Sequence, residues 1–514
     1  MALASGGANG RGKIKEFEEL SSILDGLRAE AKKIVHCHGV FDPLHIGHIR
    51  HFQQAKKLGD VLVVTVTPDR HVNKGPHRPV FTQDLRAEAV AALECVDFVA
   101  INRWPMAVEA IRALRPDVFV KGSEFQGRKD RTGAIPLEEA AVTAVGGRIA
   151  FTEDLTFSAS NLVNHHFPVF PPEVSRYLSG FAQRHPSDAV IGHLEALQPL
   201  KVLVVGEAII DEYQYVEAIG KSSKEPTLVV KDLSTEQFAG GSLGVANHVA
   251  NFTSAVTLVT MLGGKDSQEL FIRQKLHRRI DPQFLYRKDS PTIVKRRFVE
   301  SYFFTKLLEV YEINDTALDE AEVAELVDAL RGQAAEFDLV IVADFGHGLL
   351  VQEAVDVLCR AARFLAVNTQ SNAGNLGYHA ISKYPRADYV CVAENEMRLE
   401  ARDRRSDLRA VVRTFADRLG CKRVVVTRGK NGCLCYGPEE GFFEVPAFAG
   451  QVVDRIGSGD AFLSVTAPCV AQNVPLEVVG FIGNVAGAQA VATVGNRTPI
   501  QRGPLIRHIE HLLK

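Results

Sequence analysis

Nowhere in the 514 residues is there an uninterrupted apolar run of the ~20 residues that a membrane-spanning helix needs. Neither half of the chain is strongly basic. The 59 Lys and Arg stand against 62 Asp and Glu, and a net charge of -3 gives no electrostatic footprint for nucleic acid. The first eleven residues are rich in Gly, Ala and Ser and lack the apolar stretch of a signal peptide, so a cytoplasmic location is expected. Eight cysteines occur, but only Cys433 and Cys435 are close, and one pair without a second makes a poor zinc signature. Buried, reduced thiols are the expectation. There is no internal repeat and no low-complexity tract. What remains is 46% hydrophobic and 24% charged, the balance of a globular protein with a sizeable core. The length predicts two or three domains.

Two short apolar strands mark two separate starts, Lys33–His38 and Lys201–Gly206. Between them, five prolines at 168, 171, 172, 186 and 199 interrupt regular structure, so 167–199 is expected to be a linker with a helix near Val174–Gln183. The domain expectation is therefore 30–166 and 200–514 around that linker. In the first segment, strands at Val61–Val66, Asp97–Ile101, Asp117–Val120 and Gly147–Phe151 alternate with amphipathic helices at Asp84–Leu93, Met106–Leu114 and Leu137–Val145. Such alternation implies a parallel sheet covered on both faces, a Rossmann-like α/β fold. The second segment repeats the pattern, with strands at Leu339–Ala343, Phe364–Asn368, Tyr389–Val392 and Arg423–Thr427. Two stretches rich in β-formers, Lys224–Leu233 and Thr292–Tyr302, break the alternation and predict a small antiparallel lid.

The first strand runs directly into His38-Gly-Val-Phe-Asp-Pro-Leu-His45-Ile-Gly-His48. Gly39 lets backbone approach a ligand closely. A helix beginning near His45 aims unpaired amides and a positive dipole end at that point, which favours phosphate. His45 and His48, three apart, share one helical face and can reach the same oxygens. Either could equally be a packing residue, but the strand-to-helix setting after Phe41-Asp-Pro favours function. This segment resembles the cytidylyltransferase-like nucleotidyltransferases, whose shared motif is HxGH, over roughly residues 30 to 165. Lys74-Gly-Pro-His-Arg78-Pro resembles that family's basic loop, Arg115-Pro-Asp-Val-Phe-Val-Lys121-Gly its strand end, and Thr156-Phe-Ser158-Ala-Ser160-Asn its phosphate-closing loop. The resemblance implies attack of a sugar-phosphate oxygen on the α-phosphorus of a nucleoside triphosphate. His45 and His48 would serve as phosphate donors, Lys74, Arg78 and Lys121 as counter-charges with Mg2+, and Gly39, Phe41, Ser158 and Ser160 would line the nucleotide.

Toward the C-terminus stands Val453-Asp-Arg-Ile-Gly457-Ser458-Gly459-Asp460. The Gly-Ser-Gly turn can converge amides on an anion at the start of the following helix, with Asp460 placed to accept a proton from a hydroxyl. Asp is also a favoured helix cap, so this stretch alone decides little. Its context resembles the ribokinase-like, PfkB-type carbohydrate kinases over roughly residues 200 to 510. The D-T-x-G-x-G-D signature is matched with Arg455 in place of Thr. The resemblance implies that Asp460 is the base and Gly457, Ser458 and Gly459 the cradle. It further implies that Asp211, Gly240 and Gly241 bind the sugar, that Thr427, Gly429, Gly432 and Asn484 line the nucleotide, and that Glu396 orders Mg2+. Gly244 stands where that family has an Asn, with Asn247 one helical turn on as a substitute, and Ala393 stands where its metal motif has an Asn.

Both modules together resemble the bifunctional enzymes of ADP-heptose synthesis, with the module order reversed. Gly220–Pro226 and Ala343-Asp-Phe-Gly-His-Gly348 carry that further likeness. Lys221, Lys224, Lys295 and Arg297 are candidate grips for a substrate phosphate. The resemblance implies ATP-dependent phosphorylation of a sugar or sugar phosphate, then nucleotidyl transfer from an NTP, with small-molecule partners only and a homodimer through the lid. A second reading is a CTP-dependent polyol- or glycerol-phosphate cytidylyltransferase with a degenerate kinase domain. A third makes one domain a non-catalytic binding module.

Overall fold

The computed structural model describes residues 10–72, 79–122, 134–152, 170–314 and 316–513. The chain splits into two compact units, Met1–Pro171 and Pro172–Ile509. The first contains α1 (Phe17–Ala29), β1 (Ile34–Gly39), α2 (Ile46–Lys56), β2 (Val61–Val66), α3 (Gln83–Ala91), β3 (Phe98–Ile101), α4 (Val108–Leu114), β4 (Val118–Gly122), α5 (Ala134–Ala144) and β5 (Arg148–Thr152). Its five strands lie in the order β3-β2-β1-β4-β5, every pair parallel. The order reverses between β1 and β4. In open α/β sheets that reversal opens a crevice at the carboxyl ends of the strands. Helix α1 lies upstream of the expected boundary at residue 30, and its Phe17, Leu20 and Leu24 are buried against Ile34, Val63 and Leu114.

The second unit begins with α6 (Pro172–Arg184) and α7 (Ser187–Glu195). The stretch expected as linker is therefore largely helical and belongs to this unit. Phe181 is fully buried and stacks on Phe481 at 4.3 Å between ring centroids, and Arg184 donates to Glu477 at 2.6 Å. The prolines at 172 and 186 sit at a helix start and an N-cap, where their missing N–H costs nothing. There follow β6 (Lys201–Gly206), β7 (Ala208–Lys221), β8 (Leu228–Gly241), α8 (Ser242–Val249), β9 (Ala255–Gly263), α9 (Glu269–Lys275), β10 (Ile280–Arg287), β11 (Ile293–Glu300), β12 (Thr305–Glu312) and α10 (Glu320–Arg331). Then come β13 (Leu339–Asp344), α11 (Gln352–Ala361), β14 (Leu365–Thr369), β15 (Tyr389–Ala393), α12 (Glu394–Ala401), α13 (Leu408–Leu419), β16 (Arg423–Thr427), β17 (Cys433–Gly437) and β18 (Gly441–Val445). Three helices close the unit: α14 (Ser458–Ala471), α15 (Leu476–Ala490) and α16 (Arg502–Leu512).

Nine strands form the main sheet in the order β10-β9-β6-β13-β14-β15-β16-β17-β18, parallel as far as β16 and antiparallel beyond. Val205, Val342, Val367, Val390 and Val426 pack against Leu330, Leu358 and Phe415 of α10, α11 and α13. Helix α14 is buried without interruption from Ala461 to Val470, so it runs through the interior and its N-terminus opens on the site. The lid is a separate four-stranded sheet, β12-β11-β7-β8. It is mixed, not antiparallel as expected, because β7 and β11 run parallel at its centre. No helix among the described residues is long and apolar enough to cross a membrane.

Candidate active sites

In the first unit the HxGH segment turns from β1 into α2 at the reversal of strand order. His45 is the N-cap of α2, and its Nδ1 accepts the Gly47 N–H at 3.1 Å. That bond fixes the neutral tautomer with hydrogen on Nε2, a donor that a phosphate oxygen can take. The His45 and His48 rings stack at 3.8 Å, and Phe41 meets His48 edge-on at 5.3 Å. Gly39 leaves room for the Phe41 ring, which a Cβ would approach to 2.8 Å. Behind the turn, the Asp42 carboxylate accepts the N–H groups of Val80 (2.6 Å) and Phe81 (2.9 Å). The buried Arg86 donates to the carbonyls of Val40 (2.7 Å), Phe81 (2.9 Å) and Thr67 (2.9 Å) and pairs with Asp69.

Lys121 ends β4 as expected, but it is not a lone cation: its Nζ lies 2.7 Å from the buried Glu138. His38 reaches Thr65 at 2.8 Å, and burial pushes its pKa down to about 3. His51, held at 2.7 Å by Thr152, is lowered to about 4 by burial and then by the charge of Lys121. Sequence reasoning missed Arg86, Glu138 and His51. Only His51 left a signal, as the third histidine of an i, i+3, i+6 series. Lys74, Arg78, Ser158 and Ser160 lie outside the described residues.

The second unit holds a cavity of about 580 Å³ between the lid and the carboxyl edge of the main sheet. It is lined by Asp211, Gly241, Thr427, Gly429, Gly457, Ser458, Gly459 and Asp460 of the expected residues, with Lys295, Arg297, Lys306, Arg428 and Arg455 supplying five positive charges. Asp460 enters from the first turn of α14. Burial, then the charge of Asp211, raises its pKa to about 7, while Lys295 opposes the rise. Gly457 adopts φ +78°, and a Cβ there would lie 2.2 Å from Asn496 Oδ1. The turn is therefore both left-handed and walled.

Asp211 is buried, and Arg297 Nη1 donates to it at 2.5 Å. Gly240 serves that carboxylate, because a Cβ would meet Asp211 Oδ2 at 2.0 Å. Lys295 is buried beside the rings of Tyr311 (5.0 Å) and Phe345 (5.9 Å), and burial lowers its pKa. Below them Glu207 accepts the N–H groups of Phe345 (2.9 Å) and His347 (3.0 Å). Burial and the neighbouring Asp344 raise its pKa to about 7.

Besides Gly240, four expected residues do not line the cavity. Asn247 is committed to backbone: its Nδ2 donates to the Lys275 carbonyl at 3.1 Å and its Oδ1 accepts the His277 N–H at 2.8 Å. Asn484 is buried behind β17, donating to Cys433 Sγ and to the carbonyls of Gly480 and Val445. Gly432 closes the turn after β16 at φ +79°, where a Cβ would lie 1.9 Å from the Val445 carbonyl oxygen. Glu396 accepts the N–H groups of Ala393 (2.7 Å) and Ser371 (2.9 Å) and is raised by burial. Among the described residues no three His, Cys, Asp or Glu side chains form a ready-made metal cage. Of the two carboxylates, Asp460 opens on the cavity as a hard oxygen donor that would fit Mg2+, whereas Glu396 does not line it and already accepts a backbone N–H on each oxygen.

A family model described as pfkB family carbohydrate kinase matches residues 199–502. The chain belongs to the pfkB family of carbohydrate kinases. Upstream of the pfkB match, residues 36–128 match a cytidylyltransferase-like model. Curated relatives include the bifunctional protein HldE of Nitratiruptor sp., 40% identical over 137 residues, which are 26% of this chain and 30% of the relative. The HldE of Sulfurimonas denitrificans is 43% identical over 117 residues, 22% of this chain and 24% of that one. These matches span less than a third of either relative. Among solved structures, Escherichia coli phosphofructokinase-2 in complex with substrates and products aligns with 61% of this chain and 100% of its own, at TM-score 0.51 and 15% identity. That likeness shows the fold of the pfkB unit.

Proposed function

We propose that the chain carries two successive phosphate chemistries on a sugar. The pfkB unit transfers the γ-phosphoryl group of ATP to a sugar hydroxyl, and the cytidylyltransferase-like unit joins the sugar phosphate to a nucleotidyl group from an NTP, releasing pyrophosphate. The observation that carries this reading is Asp460, whose carboxyl titrates near neutrality in front of an amide turn inside a cationic cavity. A base of that pKa accepts the hydroxyl proton as the oxygen attacks, while the 457–459 amides at the start of α14 take up charge on the transferring group. Five cations against three carboxylates in the lining favour an acceptor that already bears a phosphate. Mg2+, when bound, would neutralise phosphate charge beside Asp460.

In the first unit the sugar-phosphate oxygen attacks the α-phosphorus and pyrophosphate leaves. His45 Nε2–H, His48 and the N-terminus of α2 present donors to the phosphate oxygens. A heptose or its 7-phosphate is the acceptor we favour, from the names of the HldE relatives together with the cationic cavity. A homodimer through the lid is supported by the exposed Ile219, Leu228, Leu233, Leu308 and Val310.

The test is mass spectrometry of products after incubation with ATP, CTP and a panel of heptoses, heptose 7-phosphates and glycerol phosphate. His48→Ala should lose nucleotidyl transfer by about 10²- to 10³-fold with kinase turnover unchanged, and Asp460→Asn the reverse. Loss of both activities in either variant refutes independent sites. Turnover of CTP with glycerol phosphate and no sugar phosphorylation selects the degenerate-kinase reading.

A further inference from the structure

Asp454 stands six residues before Asp460 and outside the cavity lining, yet four parts of the unit converge on it. Its buried carboxylate accepts Lys306 Nζ from β12 (2.5 Å), the Tyr213 hydroxyl from β7 (2.6 Å), the Gly495 N–H beyond α15 (3.0 Å) and the Ile456 N–H (3.1 Å). Two of these donors belong to the lid and one to the approach to the anion turn. Burial alone would raise this carboxyl, but the bonds from Lys306 and Tyr213 hold it below the usual carboxylate range. Lys306 itself lines the cavity, and its ammonium also faces the rings of Tyr213 (5.7 Å) and Phe304 (5.9 Å). A Gly-Ser-Gly turn has little stiffness of its own. Its shape is set from its flanks, by Asn496 against Gly457 on one side and by Asp454 on the other.

We propose that Lys306 is a positioning residue for phosphoryl transfer: by clamping Asp454 it holds the amide turn at 457–459 in register with lid strand β12. Enclosure of the acceptor and capture of the anion then become one event. Without the ammonium, a buried carboxylate keeps three neutral donors and loses its counter-charge, and the turn is no longer tied to the lid. The inference rests on the kinase reading above. It places in the lid a cation that acts through another side chain, distinct from Lys295 and Arg297, which line the same cavity.

The experiment uses the full chain and steady-state phosphorylation of whichever acceptor the product screen identifies. Lys306→Met should lower kcat by about 10²-fold, the scale of a misplaced catalytic geometry. KM for ATP should move far less, and pyrophosphate release by the first unit should be unchanged. Lys306→Arg should recover most of the rate. Lys306→Ala, which leaves room beside Asp454, should be partly rescued by added methylammonium, to which the wild type is indifferent. Tyr213→Phe, removing the neutral donor, should slow turnover in the same direction but less. Lys306→Met with wild-type kcat overturns the proposal. So does a folded Lys306→Ala that no amine rescues, or a loss appearing wholly in KM. A wild-type protein that phosphorylates no member of the panel overturns the kinase reading and this inference with it.

Discussion

The pH dependence of the kinase reaction follows from Asp460. Its carboxyl is raised to about 7 by burial and by Asp211, and only the ionised form can accept a proton from the attacking hydroxyl. At pH 7 about half the enzyme is in that form, at pH 6 about a tenth, and at pH 5 about a hundredth. Log kcat/KM should therefore climb with unit slope between pH 5 and pH 6.5 and level off above pH 8. The assay is phosphoryl transfer at limiting acceptor, with ADP formation followed by coupled enzymes checked separately at each pH. Lys295 lowers this pKa, so Lys295→Met should move the whole rise toward higher pH. Asp460→Asn should leave a rate that no longer rises with pH, about 10²- to 10³-fold below the wild-type plateau above pH 8, because no base then remains to titrate. A profile flat between pH 5 and pH 8, or a shift toward acid in Lys295→Met, would refute the assignment of Asp460 as the base.

Two further perturbations test how the units are built. Phe181→Ala, which empties a fully buried stack on Phe481, should destabilise the second unit by about 3–5 kcal/mol in urea unfolding; an effect below about 1 kcal/mol would mean that α6 is not part of that unit's core. Gly240→Ala places a methyl 2.0 Å from Asp211 Oδ2 and should push that carboxylate away from Arg297. Separating a buried pair costs about 3–5 kcal/mol. Acceptor binding by calorimetry should be lost as well, while pyrophosphate release by the first unit should continue.

The strands of both main sheets were legible because their residues are nearly all apolar, broken only by Thr65 in one and the terminal Asp344 in the other: Val61–Val66 and Leu339–Asp344 are buried at every position. The anion turn was legible because Gly457 needs a left-handed backbone and Asp460 follows within one helical turn. Strand β7 was not, because only its first half is buried, and Glu217 to Lys221 extend into the exposed lid without alternation. Spacing placed Asn247 on the expected helix but could not orient it. All eight residues of α8 are buried, so its pattern distinguishes no face, and the side chain bonds to the last residue of α9, 28 residues away. Partnerships such as Asp211 with Arg297 and Lys121 with Glu138 join residues far apart in the chain, and no local pattern encodes them. The helix at Pro172–Arg184 was legible near Val174–Gln183, but the one at Ser187–Glu195 was obscured by the prolines around it, which mark helix starts as readily as linkers.

The HxGH turn is braced from behind by Asp42, which accepts the Val80 and Phe81 N–H groups, and by Arg86, which bonds to the Val40 and Thr67 carbonyls and to Asp69. Replacing both imidazoles should thus silence the reaction without collapsing the receptacle. A double substitution at 45 and 48 is accordingly the form of the protein in which an intact triphosphate and its sugar partner could be trapped side by side for crystallography.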